Sequence, residues 1–188
     1  MKKLTISQRK DLKKGTTNQI RREGNVPGVI YGRGRPNESI VVNGSEFQAV
    51  MRGLEKGLLA TTRFELHDGN QKRKAIVKDI HYHPVSYAVT HVDFAELDDQ
   101  RAVSVNVPIL VVGMADCAGI KLGGFLRQVL RSVEVECLPK DIPSAFTIDV
   151  RELSIGDAKR ISDIAMPASV RARGNLDQVA IVIAKSKA

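Results

Sequence analysis

From position 103 onward Val103, Val105, Val107, Ile109 and Val111 are apolar at every second place, with Ser104, Asn106 and Pro108 between them. The pattern returns where Val133, Val135 and Cys137 alternate with Glu134 and Glu136. A period of two puts one set of side chains on one face of an extended chain, whereas a helix would scatter the same residues around its axis. These stretches therefore demand sheets with one face on a core. Residues 146–150, 169–173 and 178–184 supply further strands, and together they predict an antiparallel β-rich unit. Residues 125–132 fit either a helix face or an extension of the strand that follows.

The first half carries shorter strands punctuated by turns. Strands are expected at 4–8, 26–32 and 39–42, with a short basic helix capped by Thr16 or Thr17, running to Glu23 and ended by Gly24. Ser45 with Gln48 reads as a capping box opening a second helix that carries Phe47, Val50, Met51 and Leu54. A hairpin of residues 61–66 and 74–83 turns at Asp68-Gly69-Asn70, and 89–94 returns after Pro84. Many short strands with two helices predict a small barrel. The fold class is mainly β with short helices, of the α+β kind. Its length of 188 residues suits two units. Residues 1–95 hold 17 basic and 9 acidic side chains, and the rest hold 12 of each. The acidic stretch Glu96-Leu97-Asp98-Asp99-Gln100 marks the change, so the expected domains are 1–95 and 96–188.

The net charge of +8 is confined to the first 35 residues, where ten Lys and Arg face only Asp11 and Glu23. Lys2, Lys3, Arg9, Lys10, Lys13, Lys14, Arg21, Arg22, Arg33 and Arg35 make a local field suited to a polyanion. Apolar anchors such as Leu4, Leu12, Ile20 and Ile30 interleave with them, which disordered basic tails lack. No apolar run reaches the roughly 20 residues that cross a bilayer, so no membrane partner is expected and a cytoplasmic location is. Cys117 and Cys137 lack zinc or redox spacing and read as reduced, structural residues.

Three of the four histidines cluster in His81-Tyr82-His83 and His91-Val92-Asp93. Alternation places His81 with His83, and His91 with Asp93, leaving Ile80, Tyr82, Val92 and Phe94 inward. His-x-His with His-x-Asp has the donor types of a zinc site. No bound-substrate pocket or separate general base accompanies it, and a polar sheet face beside a basic helix better suits an RNA groove. No metal, cofactor or small-molecule substrate is expected. The Gly-rich segments at 113–124 and 32–34 lack the spacings of phosphate-binding loops and read as turns. An RNA-cleaving or RNA-modifying enzyme using His83, His91 and Asp93, and a tRNA-binding module, are the rival readings.

The run Gly-Thr-Thr-Asn-Gln-Ile-Arg-Arg-Glu-Gly-Asn-Val-Pro-Gly-Val-Ile-Tyr-Gly at 15–32, Lys-Asp-Ile-His-Tyr-His-Pro at 78–84 and His-Val-Asp-Phe at 91–94 resemble the bacterial ribosomal protein that binds 5S rRNA. That family is large-subunit protein twenty-five, whose long form is also called general stress protein CTC. Gly-Gly-Phe-Leu-Arg-Gln-Val-Leu-Arg at 123–131, Val-Glu-Cys-Leu-Pro-Lys-Asp-Ile-Pro at 135–143 and Ser-Ile-Gly-Asp at 154–157 resemble its extra domain. The resemblance implies a non-enzymatic constituent of the large ribosomal subunit, one copy per ribosome, with an N-terminal β-barrel on the loop E duplex of 5S rRNA. It implies contacts from Arg9, Lys14, Thr17, Arg21, Tyr31, His83, His91 and Asp93, and neighbouring ribosomal proteins as further partners. The family's usual Arg-Arg pair is Asn18-Gln19 here, so Asn18 becomes an amide contact and Arg22 the compensating charge. His81 stands where the family commonly has Gln.

Overall fold

The computed structural model describes residues 1–9, 11, 13–32, 36–55, 57–69 and 71–185. Lys10, Leu12, Arg33, Gly34, Arg35 and Asn70, which enter the sequence argument, lie outside the described residues. The chain divides into two compact units, Met1–Arg101 and Ala102–Ala188.

The first unit contains β1 (Lys2–Gln8), α1 (Lys14–Arg22), β2 (Val26–Tyr31), β3 (Glu38–Val42), α2 (Gly44–Arg52), β4 (Arg63–Asp68), β5 (Gln71–Tyr82) and β6 (Val89–Glu96). Its six strands close a barrel in the order β1-β3-β2-β6-β5-β4. Two of the six seams are parallel, β2 with β6 and β4 with β1, the latter pairing Leu4 with Leu66. Inward residues from every strand meet in one core: Leu4, Ile30, Ile40, Phe64, Val77 and Phe94 are at most 4% exposed. Phe64 and Phe94 meet edge to face at 6.1 Å, a favoured aromatic geometry. Phe47 of α2 is fully buried in the same core, so truncating it to Ala removes about 3–5 kcal/mol of packing.

Both helices begin differently from expectation. Asn43, not Ser45, caps α2, its side chain accepting from the Ser45 and Glu46 amides at 3.0 and 3.2 Å. Glu46 instead reaches β1 and accepts from the Thr5 amide at 2.8 Å. Helix α1 starts at Lys14 with no side-chain cap at Lys13; Asp11 takes over, accepting from the Lys13 amide and the Thr16 hydroxyl. Gly24 ends α1 as expected, at a φ of 80° that a side chain would strain.

The second unit contains β7 (Val103–Val112), α3 (Ala118–Lys121), β8 (Gly124–Gln128), β9 (Ser132–Cys137), β10 (Phe146–Asp149), β11 (Ala158–Arg160), β12 (Arg171–Ala172) and β13 (Val179–Lys185). They form a four-stranded sheet, β10-β7-β9-β12, and a three-stranded one, β11-β13-β8. Register aligns the two valine ladders, Val105 with Val135 and Val107 with Val133. Pairing is antiparallel except at one edge, where β10 runs parallel to β7. The ambiguous segment after Gly123 is strand β8, paired with β13. Cys117 and Cys137 are free and buried, and burial together with nearby Asp141 pushes the Cys137 thiol up.

Candidate nucleic-acid interface

Helix α1 buries only Ile20 against the barrel. The remaining side chains are therefore available to solvent, and the 3.6-residue period stacks Lys14, Asn18 and Arg22 on one face. Arg9, at the end of β1, ties the helix to the sheet: its amide donates to the Ser39 carbonyl at 2.9 Å and its Nη1 to Thr17 Oγ1 at 2.8 Å. Thr17 Oγ1 in turn donates to the Lys13 carbonyl at 3.3 Å. Lys14 and Arg22 are exposed at the helix surface. Asn18 Oδ1 accepts from Arg21 Nη1 at 3.4 Å, and Gln19 Nε2 donates to Glu23 at 3.0 Å. The two amides standing at the family's arginine positions thus have partners within the helix.

Arg21 reaches across to the sheet. Its Nε and Nη2 both donate to the carbonyl of Thr90, at 3.1 and 3.0 Å. Thr90 precedes His91 on β6, and its hydroxyl donates to the His81 carbonyl at 3.0 Å on β5. The helix is thereby bolted beside the outer face of the β5–β6 pair.

That face is polar. His81 lies opposite His91 and Asp79 opposite Asp93, with the two imidazoles 5.9 Å apart. His91 Nδ1 stands 2.7 Å from Asp93 Oδ1, and the two side chains are 27% and 31% exposed. His81 Nε2 stands 3.3 Å from Asp79 Oδ2, both side chains being exposed. Tyr31, on neighbouring β2, has its phenol pushed above the ordinary range by burial and then by the carboxylates of Asp93 and Asp79. The face combines aromatic and imidazole edges with carboxylates that accept hydrogen bonds from amino and hydroxyl groups. Lys14 and Arg22 lie on the helix beside it.

The structure brings Arg9 to Thr17, Asn18 to Arg21, His91 to Asp93, and Tyr31 within electrostatic reach of Asp93. It does not bring His83 to them. β5 ends at Tyr82, and His83 Nδ1 accepts from the Val85 and Ser86 amides at 3.4 and 3.2 Å, closing the exposed turn. The register shift at His81/Tyr82, where Thr90 is the extra residue on β6, interrupts the regular pairing between His81 and His83. Tyr82 beside it is 47% exposed, against expectation. Both four-donor metal geometry and a His83-His91-Asp93 catalytic trio require His83 on the face, and among the described residues no metal-holding cluster is assembled. Sequence reasoning missed Asp79 and Thr90. Alternation from His81 already puts Asp79 on this face, although only its pairing with Asp93 marks it as part of the cluster; Thr90 acts through a backbone carbonyl, which no side-chain pattern reveals.

Comparison with known proteins divides the chain at the same place as its compactness. Residues 4–94 match the Ribosomal L25p family and residues 102–187 match the Ribosomal protein TL5, C-terminal domain. The chain is 41% identical to "Large ribosomal subunit protein bL25" of Chlamydia trachomatis serovar L2 over 97% of its own length and 98% of the relative's. The proteins of the same name from Chlamydia abortus and Chlamydia pneumoniae are 41% and 39% identical over the same shares. Two domain matches in order, with identity sustained from end to end, establish that this chain belongs to the bL25 family of bacterial large ribosomal subunit proteins, in its two-domain form.

Proposed function

We propose that this chain, a non-catalytic structural constituent of the large ribosomal subunit, binds 5S rRNA at its loop E region through residues 1–95. The observation that carries the reading is the fastening of basic helix α1 beside the polar β5–β6 face through Arg21 and Thr90. Cations on the helix neutralise phosphates and release counterions, while Tyr31, His91 and Asp93 meet ribose hydroxyls and base edges in the shallow groove. Lys14 and Arg22 serve as phosphate contacts. Arg9 and Thr17 hold the helix start, Arg9 presenting its remaining guanidinium donors and Thr17 a hydroxyl lone pair; Asn18 adds an amide, and His83 contributes from the hairpin tip. Residues 96–188 carry no excess of positive charge and serve for contacts made within the assembled subunit.

The test is a gel-shift titration of the full chain against 5S rRNA, tRNA and an unrelated RNA duplex. The expected result is preference for 5S rRNA, with His91→Ala and Asp93→Ala each narrowing the gap to the unrelated duplex. Preference for tRNA would favour the tRNA-binding module. Turnover of labelled RNA would overturn the non-catalytic role.

A further inference from the structure

Arg21 sits where charge alone would make it a phosphate contact, yet its guanidinium, although exposed, is turned to the sheet. Nε and Nη2 converge on the Thr90 carbonyl at 3.1 and 3.0 Å, and Nη1 is directed to Asn18 Oδ1 at 3.4 Å. The planar fork suits one acceptor approached by two parallel donors, which a lysine ammonium cannot reproduce. The strand position it grips is informative. Thr90 joins β6 to β5 through its own hydroxyl at the His81 carbonyl, and the next residue is His91, whose ring stands against Asp93.

We infer that Arg21 and Thr90 are positioning residues for the RNA-reading face: Arg21 acts through Thr90 to hold His91 and His81 in register with helix α1, rather than by contacting a phosphate. The inference rests on the reading that this face binds 5S rRNA. It separates two neighbours that sequence treats alike. Arg22, exposed on the helix surface, remains the salt-dependent contact; Arg21 supplies geometry.

The experiment uses the full chain and 5S rRNA over a potassium chloride series, with Arg21→Ala, Arg21→Lys, Arg22→Ala, His91→Ala and the Arg21→Ala/His91→Ala double variant. Circular dichroism verifies folding. Arg21→Ala is expected to weaken binding roughly tenfold or more, the scale of a lost charged hydrogen bond, with an unchanged log-log salt slope. Arg22→Ala is expected to lower that slope by about 0.7–0.9. Because Arg21 works through His91, the double variant should bind within about twofold of the weaker single one. Arg21→Lys, which keeps the charge and the slope, should still lose most of the affinity. In free protein, Arg21→Ala should shift the NMR ring signals of His81 and His91 and leave His67 in place.

A slope reduced by Arg21→Ala as much as by Arg22→Ala, near wild-type affinity in Arg21→Lys, or full additivity with His91→Ala would each overturn the inference. Unmoved His81 and His91 signals in the free protein would do so without RNA. Failure of the wild type to prefer 5S rRNA would instead defeat the functional reading, and the ring signals would still decide the positioning role.

Discussion

Cutting the chain after Ala95 and cutting it after Arg101 should give fragments of very different stability, although both contain every residue of the proposed interface. The six residues between them include Leu97, which is 7% exposed and whose amide donates to the Lys74 carbonyl at 2.8 Å. Burial of a leucine side chain stabilises by about 1.5–3 kcal/mol. Loss of one backbone hydrogen bond adds about 1 kcal/mol. The Lys74–Asp99 pair is half exposed at both ends and adds under about 1 kcal/mol after screening. A total near 3–4 kcal/mol is a large part of the roughly 5–15 kcal/mol that holds a typical domain. At about 4–8 °C per kcal/mol for a unit of this size, fragment 1–95 should melt roughly 12–30 °C below fragment 1–101. Thermal melts by circular dichroism measure the difference, and Leu97→Ala in fragment 1–101 should reproduce most of it. Melting points within about 3 °C of each other would refute the argument, since Leu97 would then contribute nothing to the barrel. Well below both transitions, the two fragments should bind 5S rRNA alike.

Lys14→Ala should lower the salt slope of 5S rRNA binding by about 0.7–0.9, equivalent to about fivefold in affinity at 0.15 M salt and about tenfold at 0.05 M; a slope equal to wild type would mark Lys14 as merely solvated. Asp11 is held below its ordinary value of 3.8 by the Lys13 amide, the Thr16 hydroxyl and nearby Arg9. Its folded pKa is depressed, so its support of the α1 start is complete above 3.8 and is lost as pH falls through the lower folded value. NMR of the Lys13 amide should therefore show its transition only below that pH, and a midpoint at 3.8 or higher contradicts the capping role. Deleting residues 102–188 should leave affinity for free 5S rRNA nearly intact but release the protein from large subunits at a lower salt concentration during washing; release at the same concentration would deny this unit any role in retention.

Much of this fold is written in short-range pattern. The valine ladders of β7 and β9 read as strands because their neighbours pull the period of two into view, and Gly24 reads as a helix end because only a glycine relaxes at its φ. The basic character of α1 is likewise plain in composition. What stayed hidden depended on neighbours distant in the chain. The parallel seams join Leu4 to Leu66 and Gly28 to Val92, and no local periodicity distinguishes them from antiparallel pairing. The two register shifts of the β5–β6 pair, with Lys78 the extra residue on β5 and Thr90 the extra residue on β6, come from strands whose composition does not announce a bulge. Arg21 and Arg22 are indistinguishable by type, and only the position of a carbonyl on β6 separates their roles.

The parallel seam between β1 and β4 sets an order on biosynthesis. Residues 2–5 pair in the parallel seam with residues 64–67, so the first strand leaves the ribosome some sixty residues before the strand that completes its pairing. At about 5–20 residues per second the wait is on the order of 3–12 s. Closure also requires β6, the strand that accepts Arg21. A nascent chain thus carries its full positive charge long before the β5–β6 face exists. That face arrives late, with the last strand of the barrel, and long-range closure of this kind makes the final step the slow one.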